Sequence, residues 1–442
     1  MAFIFSDGFD HYGYAPATDI VKKWTSLFST TITVHYNGGR RAGGALGLGA
    51  DGGGTRTRVS KTYPNGNNPQ TVTLGFAYKP VNAPIANAPF LYIMEGGAIQ
   101  YQLVTNTSMR VLVQRGGTFN AAGAANGTLI GTSSGSLVQN GFQYIELKAR
   151  IGPANSGTLE LRINGSTNNG FPQITGVNTM ATANSWSDSV ILVGGVFGGL
   201  DSFFDDFYIC DTSGSSFNDF LGDVEISPLY PSSNGGNFQQ WSPTSGSNHF
   251  NLVSGTAGPQ LTTTTSTINA LGSAGTGNIT VVNCLPTISS SFGVPSGSFF
   301  LVDNEVMAYA ANSATQLYVH GRGQLGTTAA THANGSTLFY QSYVSSSVSG
   351  NMDLFGMTNL ITGGAGTIYG AVVNLAAIKD DAGTRTISSV ASASSVISTG
   401  SDHALGTSQL YYQSVYAVDP STGAAWTVNG INGAEFGVKV TG

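Results

Sequence analysis

"YIELKARI", residues 144–151, sends every second side chain the same way: Ile145, Leu147, Ala149 and Ile151 alternate with Tyr144, Glu146, Lys148 and Arg150. Successive side chains of a β-strand point to opposite faces, so this spacing predicts a strand with one apolar and one polar face. "TLELRING" (158–165) repeats it, with Leu159, Leu161 and Ile163 inward and a turn at Asn164–Gly165. "TVTLGFAY" (71–78) sets Val72, Leu74, Phe76 and Tyr78 against Thr71, Thr73, Gly75 and Ala77. Such strands suit antiparallel sheets that pack on one side and meet water on the other, and two of them face to face make a sandwich.

Composition points the same way. The 442 residues give room for two or three domains, and 40% hydrophobic content is enough to build their cores. Charged residues reach only 9%, against roughly 25% in ordinary soluble domains, and 61 glycines supply turns. The expected class is all-β, of the secreted or virion kind. Helix is confined to short pieces at 17–27 and in "TNLITGG".

A net charge of −6 argues against a nucleic-acid partner, which needs a basic face for phosphates. Cys210 and Cys284 are too few for a disulfide framework or a four-ligand zinc site and are expected as unpaired, buried thiols. "MAFIFSDGFDHYG" lacks a basic segment and its apolar run stops at Asp7, so no signal peptide is expected. No stretch reaches the about eighteen apolar residues of a membrane helix, so membrane insertion is not expected.

"GRGQLG" (321–326) fits the G-x-G-x-x-G fingerprint of dinucleotide loops. The fingerprint needs a following helix to hold phosphate and an acidic residue about twenty positions on. The chain instead continues "TTAATHANG" and then "SYVSSSV", so the glycines read as turns at a strand end and no cofactor is implied. "GTSSG" (131–135) matches a nucleophile elbow without the required strand–turn–helix setting.

His11, His35, His249, His320, His332 and His403 show no metal-ligand spacing; His320 and His332 read as turn packing. Three carboxylate pairs stand out: Asp205–Asp206, Asp380–Asp381, and Glu146 with Glu160. Neighbours in a strand face opposite ways, so Asp205 and Asp206 are not expected to share one site. They read as turn-fixing groups, with a structural calcium as the lesser option. No catalytic residue is assigned, and the chain is expected not to be an enzyme. Sugar-stacking candidates are Tyr12, Tyr14, Tyr36 and Trp186, whose rings suit carbohydrate faces. Trp186 is weighed against a core position, as are Trp241 and Trp426.

A first domain is expected over 1–212. A second covers 213–264 and 342–442, and a small β-module at 265–341 is inserted into it at the kind of exposed loop that tolerates insertion.

Three stretches carry a resemblance. "FSDGFDHYG" and "FFDDFYICDTSG" resemble tailed-bacteriophage virion proteins with a concanavalin A-like (LamG-like) jelly-roll domain. "FLGDVEISPLYPSSNG" with "SYVSSSVSGNMDLFGM" resembles the β-domain that follows it there. Residues 297–338 look like a small β-module of phage fibres, with Asp303 and Glu305, Arg322 to Thr327, and His332 to Gly335 as its signature. The resemblance implies a structural protein of the tail-fibre or tail-appendage type, located in the virion and engaged in assembly and host-surface glycan attachment. Its partners would be other virion proteins, host polysaccharide and copies of itself, with a trimer as one form. A head fibre, capsid decoration or collar protein is the first alternative, and a polysaccharide depolymerase the second.

Overall fold

The computed structural model describes residues 3–12, 17–28, 32–35, 38–41, 43–50, 55–82, 87–119, 125–194, 199–243, 248–253, 260–262, 277–280, 298–302, 305–313, 316–324, 329–332, 337–339, 344–360, 366–379 and 381–442. Over these residues the chain is nearly all β, and it divides into two compact units that part between Pro228 and Leu229.

The first unit holds fifteen strands: β1 (Phe3–Asp7), β2 (Ser26–Phe28), β3 (Ile32–His35), β4 (Ala45–Ala50), β5 (Arg58–Thr62), β6 (Thr71–Pro80), β7 (Ala88–Glu95), β8 (Ala98–Thr105), β9 (Arg110–Arg115), β10 (Thr128–Ser136), β11 (Gln143–Arg150), β12 (Gly157–Ile163), β13 (Ser166–Val177), β14 (Ser189–Val193) and β15 (Gly199–Cys210). One sheet runs β13-β12-β11-β6-β15-β4-β3, with β1 also on β15; the other runs β10-β9-β8-β7-β14-β5-β2. Neighbours such as β6 and β15 are distant in sequence and antiparallel, giving a jelly-roll-like β-sandwich.

The core between the sheets is aromatic. Phe76 of β6 lies 6.2 Å from Phe90 of β7, and Tyr78 stacks on Phe90 at 4.4 Å. The helix Ala17–Lys23 delivers Trp24, fully buried against Phe5, Phe9 and Phe207. Asp7 pins this corner. Its Oδ2 accepts from Tyr12 Oη and Trp24 Nε1, each at 2.7 Å, and its Oδ1 from Lys23 Nζ and the Phe9 amide, each at 3.1 Å. A buried carboxylate is tolerated only when its lone pairs are filled in this way.

The periodicity of β6, β11 and β12 is as read, but much of the polar face of β6 and β11 is covered, with Lys148 and Arg150 part-exposed at its end. Thr73, Ala77, Tyr144 and Glu146 are all fully buried. Residues 214–228, which have no regular structure, cover them and keep the first unit going to Pro228, beyond the expected division at 212.

In the second unit a six-stranded sheet includes the strands Pro231–Gln239, Met352–Met357, Glu435–Val440 and Thr386–Ala393, and a two-stranded ladder pairs Ala371–Ala377 with Leu410–Tyr416. Val373, Tyr416, Trp426, Ile431 and Phe436 fill the space between them. An antiparallel sheet in the same unit takes its order from Gln260–Thr262, Thr337–Phe339, Ser298–Val302, Glu305–Ser313, Gln316–Gln324 and Gly277–Thr280. The signature residues Arg322 and His332 both reach Glu305 within it. Asp303, Thr327 and Gly335 lie outside the described residues, as do Leu325 and Gly326 of "GRGQLG". The first four residues of that motif end a strand, and 329–332 are irregular rather than helical. "GTSSG" lies within the edge strand β10, which is no elbow.

Candidate functional site

The covered face of the first unit's larger sheet gathers most of its chemistry. Strand alternation puts Tyr144, Glu146 and Lys148 of β11 on this face, and cross-strand register sets Arg162 of β12 beside Glu146. Tyr208 and Cys210 of β15 come from the other side of β6, opposite Gly75 and Thr73. Gly75 makes the arrangement possible: a Cβ there would stand 2.3 Å from the Tyr208 ring and 3.1 Å from the Tyr144 ring. The turn between β3 and β4 adds Arg40, whose guanidinium sits 4.9 Å from the Tyr144 ring centre, and Arg41.

Tyr208 Oη donates to Glu146 Oε1 at 2.7 Å, and Tyr144 Oη donates to the Asp206 carbonyl at 3.1 Å. Burial pushes the Glu146 carboxyl up from its usual range despite the bond from Tyr208, and pushes both tyrosines well above theirs. Glu146 Oε2 is buried with no hydrogen-bond partner.

The strap formed by 214–228 is anchored by side chains of the sheet rather than by strand pairing. Tyr208 Oη accepts from the Leu221 amide at 3.1 Å, Glu146 Oε1 from Gly222 at 2.8 Å, and Asp206 Oδ1 from Ile226 at 2.8 Å. Phe217, Leu221 and Val224 pack on Tyr144, Tyr208 and Cys210. Three strap carboxylates meet the sheet's cations. Asp219 pairs with Lys148 at 2.9 Å, Asp223 with Arg40 and with Arg41 (3.2 Å), and Glu225 with Arg41 at 2.9 Å. Phe220 lies under the Arg162 guanidinium at 3.9 Å. The Arg41 and Lys148 pairs are part-exposed and contribute about 0–1 kcal/mol each, whereas Arg40, 11% exposed, also donates from Nη2 to the Val224 carbonyl at 2.6 Å.

Asp205 and Asp206 sit at one end of this face, and here simple alternation fails. A bulge interrupts the β15–β6 register between Asp205 and Tyr208, with Asp206 at φ 49°. The extra residue lets both carboxylates turn to the Arg40 turn. Asp205 Oδ2 accepts from the Arg40 amide at 2.7 Å, and Asp206 Oδ2 pairs with Arg40 Nη2 at 3.0 Å. Burial raises both carboxyls, and for Asp205 the charge of Asp206 adds to it. Among the described residues no three His, Cys, Asp or Glu side chains are grouped to hold a metal ion.

The sugar-stacking candidates do not converge here. Tyr12 is buried in the Asp7 cluster and has no ring face free for a sugar, a correction that follows from its bond to Asp7. Trp186 is half-buried before β14, where its carbonyl accepts from Gln100 of β8 in the same sheet. Tyr14 and Tyr36 lie outside the described residues. Glu160 pairs with Arg162 at 2.8 Å rather than with Glu146. Trp426 is a core residue of the second unit, its Nε1 donating to the Tyr416 carbonyl at 2.8 Å. Cys210 is a buried free thiol, and Cys284 lies outside the described residues. The sequence reading missed Tyr208, for which the polar face of "YIELKARI" was the only signal; Arg40–Arg41 read as a small cluster of solvated loop charges, whereas the Arg40 side chain is 11% exposed and lies over Tyr144.

No family model and no curated protein matches the chain. Solved structures do. A marine PL-14 alginate lyase from Aplysia kurodai is similar at 12% identity, over 47% of this chain and 99% of its own, with a TM-score of 0.37. An endo-beta-1,4-glucuronan lyase from the fungus Trichoderma reesei follows at 10%, 42% and 90%, with a TM-score of 0.32. A carbohydrate esterase from the Shiga toxin-encoding bacteriophage phi24B stands at 12%, 47% and 99%, with a TM-score of 0.31. The likeness extends to β architecture and no further. These structures are named as lyases and an esterase, and the expectation that the chain is not an enzyme is not kept; none of their activities is assigned to it.

Proposed function

We propose that the chain engages polysaccharide as part of a tailed-phage particle, in a tail fibre or tail-attached appendage that contributes to assembly and host-surface attachment. The observation that carries the glycan part is the covered face. Four of the chain's 17 Lys and Arg (Arg40, Arg41, Lys148 and Arg162) meet there with the rings of Tyr144 and Tyr208. With 214–228 in place Arg40, Arg41 and Lys148 are paired with Asp219, Asp223 and Glu225 and both rings are buried, so an acidic glycan would meet cations and aromatic faces where that segment is displaced. Weak single sites add up when many copies share one particle. The phage part rests on the sequence resemblance, and a homo-oligomer goes with it.

Adsorption of the purified full chain to host cells, and to their extracted surface polysaccharide, tests the attachment. Substituting both Lys148 and Arg162 by Ala is expected to abolish it, and unchanged adsorption refutes the site. Immunogold labelling of particles separates tail from head or collar.

A second reading, a polysaccharide depolymerase, is favoured by the Tyr208–Glu146 contact. A phenol bonded to a buried carboxyl, with a guanidinium alongside, can move a proton at a sugar once the face is open. Release of new chain ends from host polysaccharide, lost in Tyr208→Phe, is its test.

A further inference from the structure

We infer that residues 214–228 are an internal stand-in for an acidic polysaccharide: the strap's carboxylates and Phe220 occupy the cations that a polyuronate chain takes when the strap swings off. The inference rests on the glycan-binding reading and adds a gate to it.

Charge complementarity comes first. Asp219, Asp223 and Glu225 follow one another along a segment that bends at 219 and 223, and they meet Lys148, Arg40 and Arg41, the cations that the carboxylates of a uronic-acid polymer would take. Burial is lopsided. No residue from 214 to 228 is buried, whereas Tyr144, Glu146 and Cys210 beneath them are fully so. A segment that belonged to the core would share that burial. The fit is also incomplete, since Glu146 Oε2 stays without a partner under the strap. Buried polar atoms are ordinarily satisfied, and a sugar hydroxyl in the same place supplies the donor the strap lacks. Finally, the strap's amides bond to side-chain oxygens and no strand pairing must break for it to leave.

The test uses the full chain and the variant D219N/D223N/E225Q, with polygalacturonate as probe and neutral dextran as control. Hydrogen exchange is followed at the strap and at β11. Polygalacturonate is expected to speed exchange at Leu221, Gly222 and Ile226 while β11 stays protected. Because a covered site binds only through its open fraction, the variant is expected to bind about tenfold more tightly. Binding without faster strap exchange, or no gain in a variant whose β11 remains protected, overturns the gate and leaves glycan binding standing. If neither protein binds either polymer, both readings fall. Should the variant lose β11 protection, the wild-type exchange experiment decides alone.

Discussion

Arg322 meets Glu305 with two parallel hydrogen bonds, Nε to Oε1 at 2.7 Å and Nη2 to Oε2 at 2.8 Å, both side chains being almost wholly buried. Oε2 accepts further from the Ala330 amide at 2.9 Å and meets His332 Nε2 at 2.8 Å. One carboxylate thus ties a strand, its hairpin partner and the segment beyond.

Glu305→Ala is therefore expected to remove the carboxylate that neutralises the buried Arg322, at a cost of about 3–5 kcal/mol to this sheet. Protease cutting between 298 and 339 and amide exchange of Glu305–Ser313 should both rise, with the first unit unchanged. Equal protection in the variant would remove Glu305 from this role.

Acid and base titrate the first unit in opposite senses. Burial, with the charges of Asp206 and Asp7 and against the Gly44 amide bond, raises Asp10 to about 7. A carboxyl with a raised folded pKa binds an extra proton in the fold, so its stabilisation is whole below about 4 and lost as pH rises through 7. Asp7 is the reverse. Burial opposes its charge, but Lys23, His11 and the bonds from Tyr12 and Trp24 outweigh that and hold it low, so its contribution is lost as pH falls below about 4. The Asp10 contribution to urea resistance of β6 exchange is expected to fall between about pH 4 and 7, and Asp10→Asn to remove that part of the slope, since its amide oxygen still accepts from Gly44.

Gly75→Ala tests the spacing of the two tyrosines. The added methyl overlaps the Tyr208 ring, and overpacking of this kind costs about 1–3 kcal/mol. A lower melting temperature and a changed near-ultraviolet tyrosine signal are expected; an unaltered spectrum would show that the rings can part freely.

Cys210 reports on the strap. Burial, then Asp211 and Asp219, push its thiol up to about 12, and its Sγ lies 3.8 Å from the Asp219 carbonyl. In a Cys284→Ser background it is expected to resist iodoacetamide at about pH 8 while folded and to react on unfolding, since the thiolate is the nucleophile. Rapid alkylation of the folded chain would contradict the burial.

The sheets were legible because period two is a strong signal over eight residues. "YIELKARI" and "TVTLGFAY" fall on β11 and β6 almost residue for residue. The strap was not, because 214–228 has no period and its few apolar residues resemble any loop. The Asp205–Asp206 bulge was missed because alternation assumes an unbroken ladder, and the register shift is set by pairing with β6, more than a hundred residues away. Glu305 was visible as part of a signature, but its partners sit 17 and 27 residues away, a distance that local patterning does not span. Tyr12 looked available because an aromatic near a chain start carries no mark of the buried carboxylate it serves.

The strap is also the stretch of chain that leads from the first unit to Leu229. A pull transmitted along the backbone would load its three amide anchors one after another, peeling from Ile226 towards Leu221, before any ladder of the sandwich bore tension. Bonds loaded singly yield at far lower force than a sheet sheared as a whole, so the polypeptide carries a mechanical fuse directly over Tyr144, Glu146 and Tyr208.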